Sequence, residues 1–352
     1  VIAKIYELGG VHSGAATSSI VWLCVFTGFL TKDMIDFSTP EWTVKSPMII
    51  VVAYILLFVL LLISVTAYPT CRFKAHNTFE CVHRWGGWFS LCIFWLELVL
   101  FSEISSQKQI QNEPLGVVMI GLPAFWLLLV SSFHVVLPWL RLRKLKVTSE
   151  KLSDRATRLH FKEAIPLFVG LRLSKTPLGE WHSFAAIPSR DGRGGSILIS
   201  NAGDWTKDCI QNPREFYWIK GVPVTGVLCM ARIFRKIIVV TTGAGIGPVL
   251  AVIQDTAQCG CVCHVIWSAP KPVETFGNEI IKSLKAVDGE AIIIDTWASK
   301  EKRPNLVQIS YDLYKRYDAE AVFCISNPGL TKKILYGLEG RGVPAFGPVW
   351  DS

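Results

Sequence analysis

The first 140 residues repeat one pattern, long apolar runs broken by short polar stretches. No Lys, Arg, Asp or Glu lies between Glu7 and Lys32, from Ser46 to Cys71, or from Pro114 to Leu140. A fourth run, "WGGWFSLCIFWLELVLFS", is shorter and carries Glu97. About 20 mostly apolar residues cross a bilayer as a helix, so the pattern predicts spans near 13–31, 47–66, 86–103 and 115–138. After Leu140 the rhythm changes twice. From about Arg158 to Arg232, short alternating runs ("RLHFKEAIPLFVGLRL", "EWHSFAAIP", "GGSILISNA", "FYWIKGVPVTGVLCM") are punctuated by Gly, Pro and charge. They predict a small antiparallel barrel with one helix near "DWTKDCI". From Lys236, the apolar strands "KIIVVTT", "CVCHVIWSA", "AIIIDTW" and "AVFCIS" alternate with helical stretches at about 248–257, 276–286, 305–316 and 330–339. That alternation predicts a parallel sheet covered on both faces. The expected fold class is a multi-pass α-helical membrane domain (1–146), then an antiparallel β-barrel (150–232), then an α/β parallel-sheet domain (233–352).

Hydrophobic residues fill 51% of the 352 positions, too many for a single soluble domain. Charge sharpens the division. Residues 1–140 hold 7 basic and 8 acidic side chains and the remainder holds 29 and 20, so the net charge of +8 belongs to the second part. Such an excess suits phosphate ligands or an anionic membrane surface. No basic stripe interleaved with aromatics appears, which argues against nucleic acid. The loop at 67–85 carries Arg72, Lys74 and Arg84 against one acid, and "RLRKLK" (Arg141 to Lys146) follows the last apolar run. The loops at 32–46 and 103–114 are acidic on balance. Basic loops stay in the cytosol, which predicts an integral membrane protein with both ends, and everything after Leu140, cytosolic. The ten cysteines do not form a secreted disulfide framework, and the soluble part reads as belonging to a reducing compartment. The chain begins at Val1, which fits a piece of a longer protein, and no cleavable signal peptide is legible.

"KIIVVTTGAGIGPVLAVI" (Lys236 to Ile253) joins a strand, a glycine loop and a helix. Gly243, Gly245 and Gly247 allow a tight turn and a close approach to a pyrophosphate, and Ile246 and Pro248 open a helix whose unpaired amides face it. The expected ligand is NAD(P)H. No acid follows "VIWSA", where NAD sites hold the ribose, and Lys271 and Arg303 are candidates for a 2′-phosphate. "CGCVCHVIW" reads as a buried strand rather than a metal site. In the apolar part, His12, His83 and His134 fall at one predicted membrane edge. Imidazoles there ligate a haem iron or bond to backbone and headgroups, and the residues leave both open. Glu97, a carboxylate within a span, is a functional candidate by position or a protonated link between helices.

Together these segments resemble the flavin dehydrogenase half of the NADPH oxidase and ferric-chelate reductase family, itself ferredoxin–NADP reductase-like, over about Arg158 to Ser352. "EWHSFAAIP" resembles an E-W-H-P-F-T segment that wraps the flavin ring, and "GDWT" (Gly203 to Thr206) a helix start near the FAD diphosphate. "KGVPVTG" stands where D-G-P-F-G-T is expected. "GAGIGPVLAVI" is similar to the G-A-G-I-G-V-T-P loop, "KRPN" (Lys302 to Asn305) to G-R-P-N, and "VFCISNP" to V-F-x-C-G-P. "GGVHSG" with the apolar runs looks most like the TmpA-type integral membrane proteins, some of which are fused to AMP-binding modules. The resemblance implies FAD held by His182, Ser183, Phe184, Ala185, Gly203, Trp205 and Thr206, with Cys324 beside the nicotinamide and Trp350 over the flavin. It also implies one inner b-type haem on His12 and His83. Departures are Ala185 for a hydroxyl residue, Ser200 for an arginine, and Phe26 and Leu96 to Glu97 where outer haem ligands are expected.

The expected function is a membrane-anchored NAD(P)H-dependent flavin oxidoreductase passing electrons from NAD(P)H through FAD to a membrane-side acceptor. The alternative is a sensory or regulatory membrane protein of the same fold that binds flavin or nucleotide without turnover.

Overall fold

The computed structural model describes residues 9–36, 45–108, 113–189, 191–298 and 303–348. The chain divides into a helical unit, Glu7–Leu137, and a β-rich unit from Pro138.

The helical unit contains α1 (Gly9–Asp36), α2 (Lys45–Ala67), α3 (Pro69–Lys74), α4 (His76–Lys108), α5 (Leu115–Gly121) and α6 (Pro123–Val136). Among the described residues, four helical stretches are long and apolar enough to cross a membrane: Gly10–Asp33, Pro47–Ala67, His76–Gln107 and Pro123–Arg141. Their outward faces are themselves apolar, with Trp22, Phe58 and Leu127 exposed. Ala53 and Leu56 of α2 are buried, as are Leu98 and Leu100 of α4. A side chain on Gly86 of α4 would begin 3.0 Å from the Ile63 side chain, so glycine there lets α4 approach α2 closely. Trp95 donates its indole N–H to the Ser132 hydroxyl (2.9 Å), linking α4 to α6.

Two predicted spans have different bounds. The stretch 115–138 breaks at Leu122, which is extended (φ −85°, ψ 126°). Pro123 lacks an amide hydrogen and pushes the residue before it out of the helical region. The stretch 86–103 grows to His76–Lys108, because Glu80 pairs one turn away with both His76 (3.4 Å) and Arg84 (3.5 Å).

The β-rich unit opens with an antiparallel sheet: β1 (Arg143–Lys146), β2 (Thr148–Ser153), β3 (Ala156–Phe161), β4 (Val169–Ser174), β5 (His182–Pro188), β6 (Gly195–Ser200), β7 (Phe216–Ile219) and β8 (Val224–Thr225). The order is β1-β7-β4-β5-β6-β3-β2, with β8 on β4. The end strands β1 and β2 do not pair, so the sheet curls as a half-barrel instead of closing as the expected barrel. Its concave side holds Leu145, Leu159, Leu171, Ile197 and Tyr217, closed by Cys209 of α7 (Asp204–Gln211). The "RLRKLK" segment, expected to flank a span, supplies β1. Leu145 is buried and lies opposite Tyr217, while its basic neighbours face out.

The second sheet is wholly parallel: β9 (Lys236–Thr242), β10 (Val262–Ala269), β11 (Ile292–Asp295), β12 (Ala321–Ile325) and β13 (Ala345–Phe346), ordered β11-β10-β9-β12-β13. Ile237 and Val239 pack under α8 (Ile246–Cys259) and α10 (Asn278–Val287). Ile238 and Val240 pack under α11 (Leu306–Arg316) and α12 (Pro328–Glu339). Both faces are covered, as continuous apolar strands require. The helix expected at 276–286 is two helices, α9 (Pro272–Phe276) and α10, parted by Gly277 at φ +85°.

One ion pair joins the end of the antiparallel sheet to α8. Arg232 grips Asp255 through two bonds, of 2.9 and 2.8 Å, and lies over the Phe168 ring. Asp255 is buried, and removing one partner strands a charge. Asp255→Ala is therefore expected to lower unfolding free energy by about 1–3 kcal/mol, measured by urea denaturation.

Candidate functional site: a groove and a cleft around one glycine turn

β9 lies mid-sheet with β10 on one side and β12 on the other, so strand order reverses at its carboxyl end. Open α/β sheets take their ligands in that crevice. The turn Gly243–Gly245 occupies it. Gly243 has φ +53°, a region that side chains disfavour. A side chain on Gly245 would begin 2.5 Å from the Thr241 hydroxyl and 2.7 Å from the Ile325 carbonyl oxygen. Gly247 lies against Leu198 of β6 (3.4 Å to a built Cβ), so the turn touches the antiparallel sheet as well. The Trp267 indole donates to the Gly243 carbonyl (3.0 Å), and the Thr242 and Ser326 hydroxyls share a hydrogen bond (2.5 Å). Ile246 is fully buried, which anchors α8, whose first turn has no side-chain cap on its amides.

On one side of the turn is a groove of about 1140 Å³ reached by Thr242, Gly243, Ser268 and Asn305, with three cations, Arg303, Lys333 and Arg341. On the other, between the two sheets, is a cleft of about 420 Å³ walled by Gly170, Arg172, Ser183, Ala185, Pro248 and Ile325. Register explains the wall. Arg172 faces Ser183 and Gly170 faces Ala185 across β4 and β5, which places all four on one face. His182 and Phe184 alternate to the other face and pack on Trp205, with centroids 4.6 and 5.6 Å away. Phe184 still contributes to the wall. Lys175 holds Trp205 through its carbonyl (3.1 Å) and ring face, and pairs with Asp208. That ammonium, with help from Asn212, holds the Asp208 carboxyl below the usual carboxylate range.

Several expected residues sit elsewhere. The Thr206 hydroxyl accepts from the Ala202 and Gly203 amides (2.8 and 3.0 Å) and donates to the Gly203 carbonyl (3.0 Å), so it caps its own helix and is not offered to a diphosphate. Cys324 faces the α11/α12 core, fully buried, its thiol pushed up to about 12 by burial. Ile325, the next residue, reaches the cleft instead. Lys271 is held by Glu274 (2.7 Å) over Trp297 and is not among the groove residues, whereas Arg303 is. Trp350 lies outside the described residues. Cys263 is buried and its thiol raised by that burial. In the helical unit the His12 and His83 rings meet edge to face with centroids 6.2 Å apart, and His83 Nδ1 is buried with no hydrogen-bond partner among the described residues. His134 instead bonds to the Val130 carbonyl of its own helix (2.8 Å). Arg172, Lys333 and Arg341 carried no motif. Lys333 lies on α12 and Arg341 in the turn just after it, and both reach the groove.

Residues 227–352 match the family "Adenylate-forming reductase 03009, C-terminal domain". The relatives are adenylate-forming reductases. Adenylate-forming reductase 03009 of Coprinopsis cinerea is 41% identical over 351 residues, which is 99% of this chain and 33% of that protein. Adenylate-forming reductase 06235 of the same fungus is 40% identical over 354 residues, again 33% of its length. The chain thus spans about a third of the curated relatives it matches. Among solved structures, a ferredoxin–NADP+ reductase from Neisseria gonorrhoeae with bound FAD and NADP aligns with 59% of this chain and 98% of its own. It is 13% identical, with a TM-score of 0.48. A flavohemoglobin from Malassezia yamatoensis aligns with 98% of this chain and 97% of its own, at 14% identity and a TM-score of 0.49.

Gly245→Ala is expected to weaken nucleotide binding about tenfold or more, read by titration. Gly289→Ala, which meets open space, is the control. The lowered Asp208 value means the Lys175 pair stabilises the fold above the ordinary carboxylate range and ceases to do so as pH falls through the folded value. The stability gap between wild type and Asp208→Asn is therefore expected to close on acidification from about pH 7 to about pH 3, followed by thermal unfolding.

Proposed function

We propose that this chain is the NAD(P)H-oxidising, flavin-binding electron-transfer region of a larger adenylate-forming reductase. The observation that carries the reading is the shared glycine turn, with a cationic groove on one side and a small-walled cleft on the other. A dinucleotide laid across Gly243 has its phosphates at the α8 amides and its adenosine end among Arg303, Lys333 and Arg341. Its nicotinamide then reaches toward Pro248 and Ile325, where the cleft begins. Three cations favour NADPH over NADH, because an added phosphate gains charge-assisted hydrogen bonds there.

FAD fits the cleft by the chemistry of its wall. Gly170, Ala185, Ala186 and Ala251 leave a flat apolar slot, and Arg172 and Ser183 supply polar contacts at its edge. When bound, the flavin accepts a hydride and releases single electrons. The protein's residues orient it and shield it. The relatives' name says that an adenylate is formed. An AMP-binding module elsewhere in the longer protein agrees with that name and with the fusion implied by the sequence resemblance. The acceptor of the electrons is then a substrate prepared by that module or a membrane-side carrier. We place the apolar helices in a membrane and the β-rich unit on its cytosolic side, on the loop-charge asymmetry.

A haem in the helical unit is a second element of the reading, supported by His12 and His83. Their rings lie 6.2 Å apart between centroids and His83 Nδ1 has no hydrogen-bond partner among the described residues, so these two side chains would hold the iron, which would carry single electrons when bound.

Anaerobic addition of NADPH to the purified chain is expected to bleach a bound flavin. Flavin that stays oxidised favours the sensory alternative, and protein without any flavin band overturns the reading. Lys333→Ala is expected to raise KM for NADPH about tenfold with little change for NADH. His83→Ala should abolish haem bands and leave flavin content unchanged.

A further inference from the structure

Three segments meet where the β-rich unit begins. The Gly221 amide donates to the Pro138 carbonyl (2.9 Å), tying the turn after β7 to the unit's first residue. Trp139 and Trp181 meet edge to face with centroids 6.2 Å apart, and the Lys220 ammonium lies 4.3 Å from each ring centroid. The Trp181 indole donates to the Pro177 carbonyl (3.1 Å), which fixes the loop that carries Leu178. Around this cluster Leu140, Leu178 and Val222 are 69%, 61% and 60% exposed. Cations surround them. Arg143, which also pairs with Glu163 (3.2 Å), reaches one shallow pit with Arg172 and Lys220, and Lys144 extends over the Phe216 and Trp218 rings (4.4 and 5.3 Å).

We propose that this rim is a contact for the anionic phospholipid surface of a bilayer. The inference rests on the reading that Pro123–Arg141 lies in a membrane. Tryptophans with exposed aliphatic tips and flanking Lys and Arg are the mixture that a headgroup layer selects, since each ring is apolar in body and polar at one end. The tips lose water on entering the acyl boundary, and the cations stay among phosphates. Charge commits the occupant. The rim is basic, and the chain enters it directly from an apolar helical stretch that ends at Arg141, so phosphate-bearing lipid is the surface nearest along the chain. The pit and the flavin cleft share Gly170 and Arg172, so a rim seated on headgroups sets the cleft beside the bilayer surface, where a lipid-soluble or membrane-bound acceptor is met.

The test uses the full chain in lipid nanodiscs of phosphatidylcholine alone, of phosphatidylcholine with about a third phosphatidylglycerol, and in detergent. Hydrogen exchange is followed in peptides covering 138–146, 176–181 and 216–224. The expected result is slowest exchange with phosphatidylglycerol. The double variant Lys144→Glu/Lys220→Glu should remove that lipid dependence, with apparent affinity for anionic lipid falling about fivefold per cation and flavin content unchanged. Equal exchange in all three settings, while the chain still co-migrates with the discs, overturns the rim and leaves the membrane reading standing. A chain that fails to enter discs overturns both. Protection that grows with chain concentration in detergent identifies a second copy as the occupant and also overturns the proposal.

Discussion

No side chain fits at position 245. The ends of β9 and β12 come so close there that a single added carbon would overlap the Thr241 hydroxyl and the Ile325 carbonyl. That approach draws Thr242 and Ser326 into hydrogen-bond contact and aims the open amides of α8 at the crevice. It also fixes which residues flank the crevice. Gly243 faces the groove, and Pro248 and Ile325 face the cleft. The groove and the cleft thus border one turn. Gly247 against Leu198 and Arg232 on Asp255 hold the antiparallel sheet to that turn, so the cleft wall has a fixed partner.

Much of this was legible in the chain, and the failures share a cause. Long uncharged runs read directly as helices because nothing but length and charge decides them, and continuous apolar strands marked the buried sheet. β1 was hidden because one apolar residue, Leu145, stands among three basic ones, and a period of two cannot be seen from a single inward position. Cys324 and Ile325 differ by one place in a strand, which exchanges core for cleft, and a motif match does not fix that parity. Ser183 and Ala185 face the cleft while His182 and Phe184 turn toward Trp205, for the same reason. Lys271 looked like the phosphate ligand because it follows β10. Lys333 and Arg341 come to the groove from α12 and the turn after it, more than sixty residues later, and no local pattern announces such a meeting.

The helical unit poses a different problem. The oxygens of Thr27, Ser90, Ser102 and Glu97 are buried without hydrogen-bond partners among the described residues. His83, Ser90 and Glu97 recur every seven residues on α4, which keeps them near one face over about 21 Å of helix axis. A helix that served only as an anchor would gain from leucine at each of these places, since an unpaired buried polar group is destabilising and a charge more so. Apolar composition explains why α4 is a helix. It does not explain why one of its faces stays polar.

Fold alone does not choose between an enzyme and a binding module, because the same two sheets serve either. The distinction lies in how the two spaces meet. A sensor needs one ligand held well, and a groove that ended short of the cleft would serve it. Here the groove runs to the glycine turn and the cleft starts three residues beyond it, at Pro248, with Ile325 on the opposite side of the gap. Ala185 removes a hydroxyl from the cleft and leaves room, and Arg172 places a cation at its edge where Ser200 brings none. An arrangement that exchanges side-chain contacts for open space at the junction of two sites favours passage between them over retention in either one.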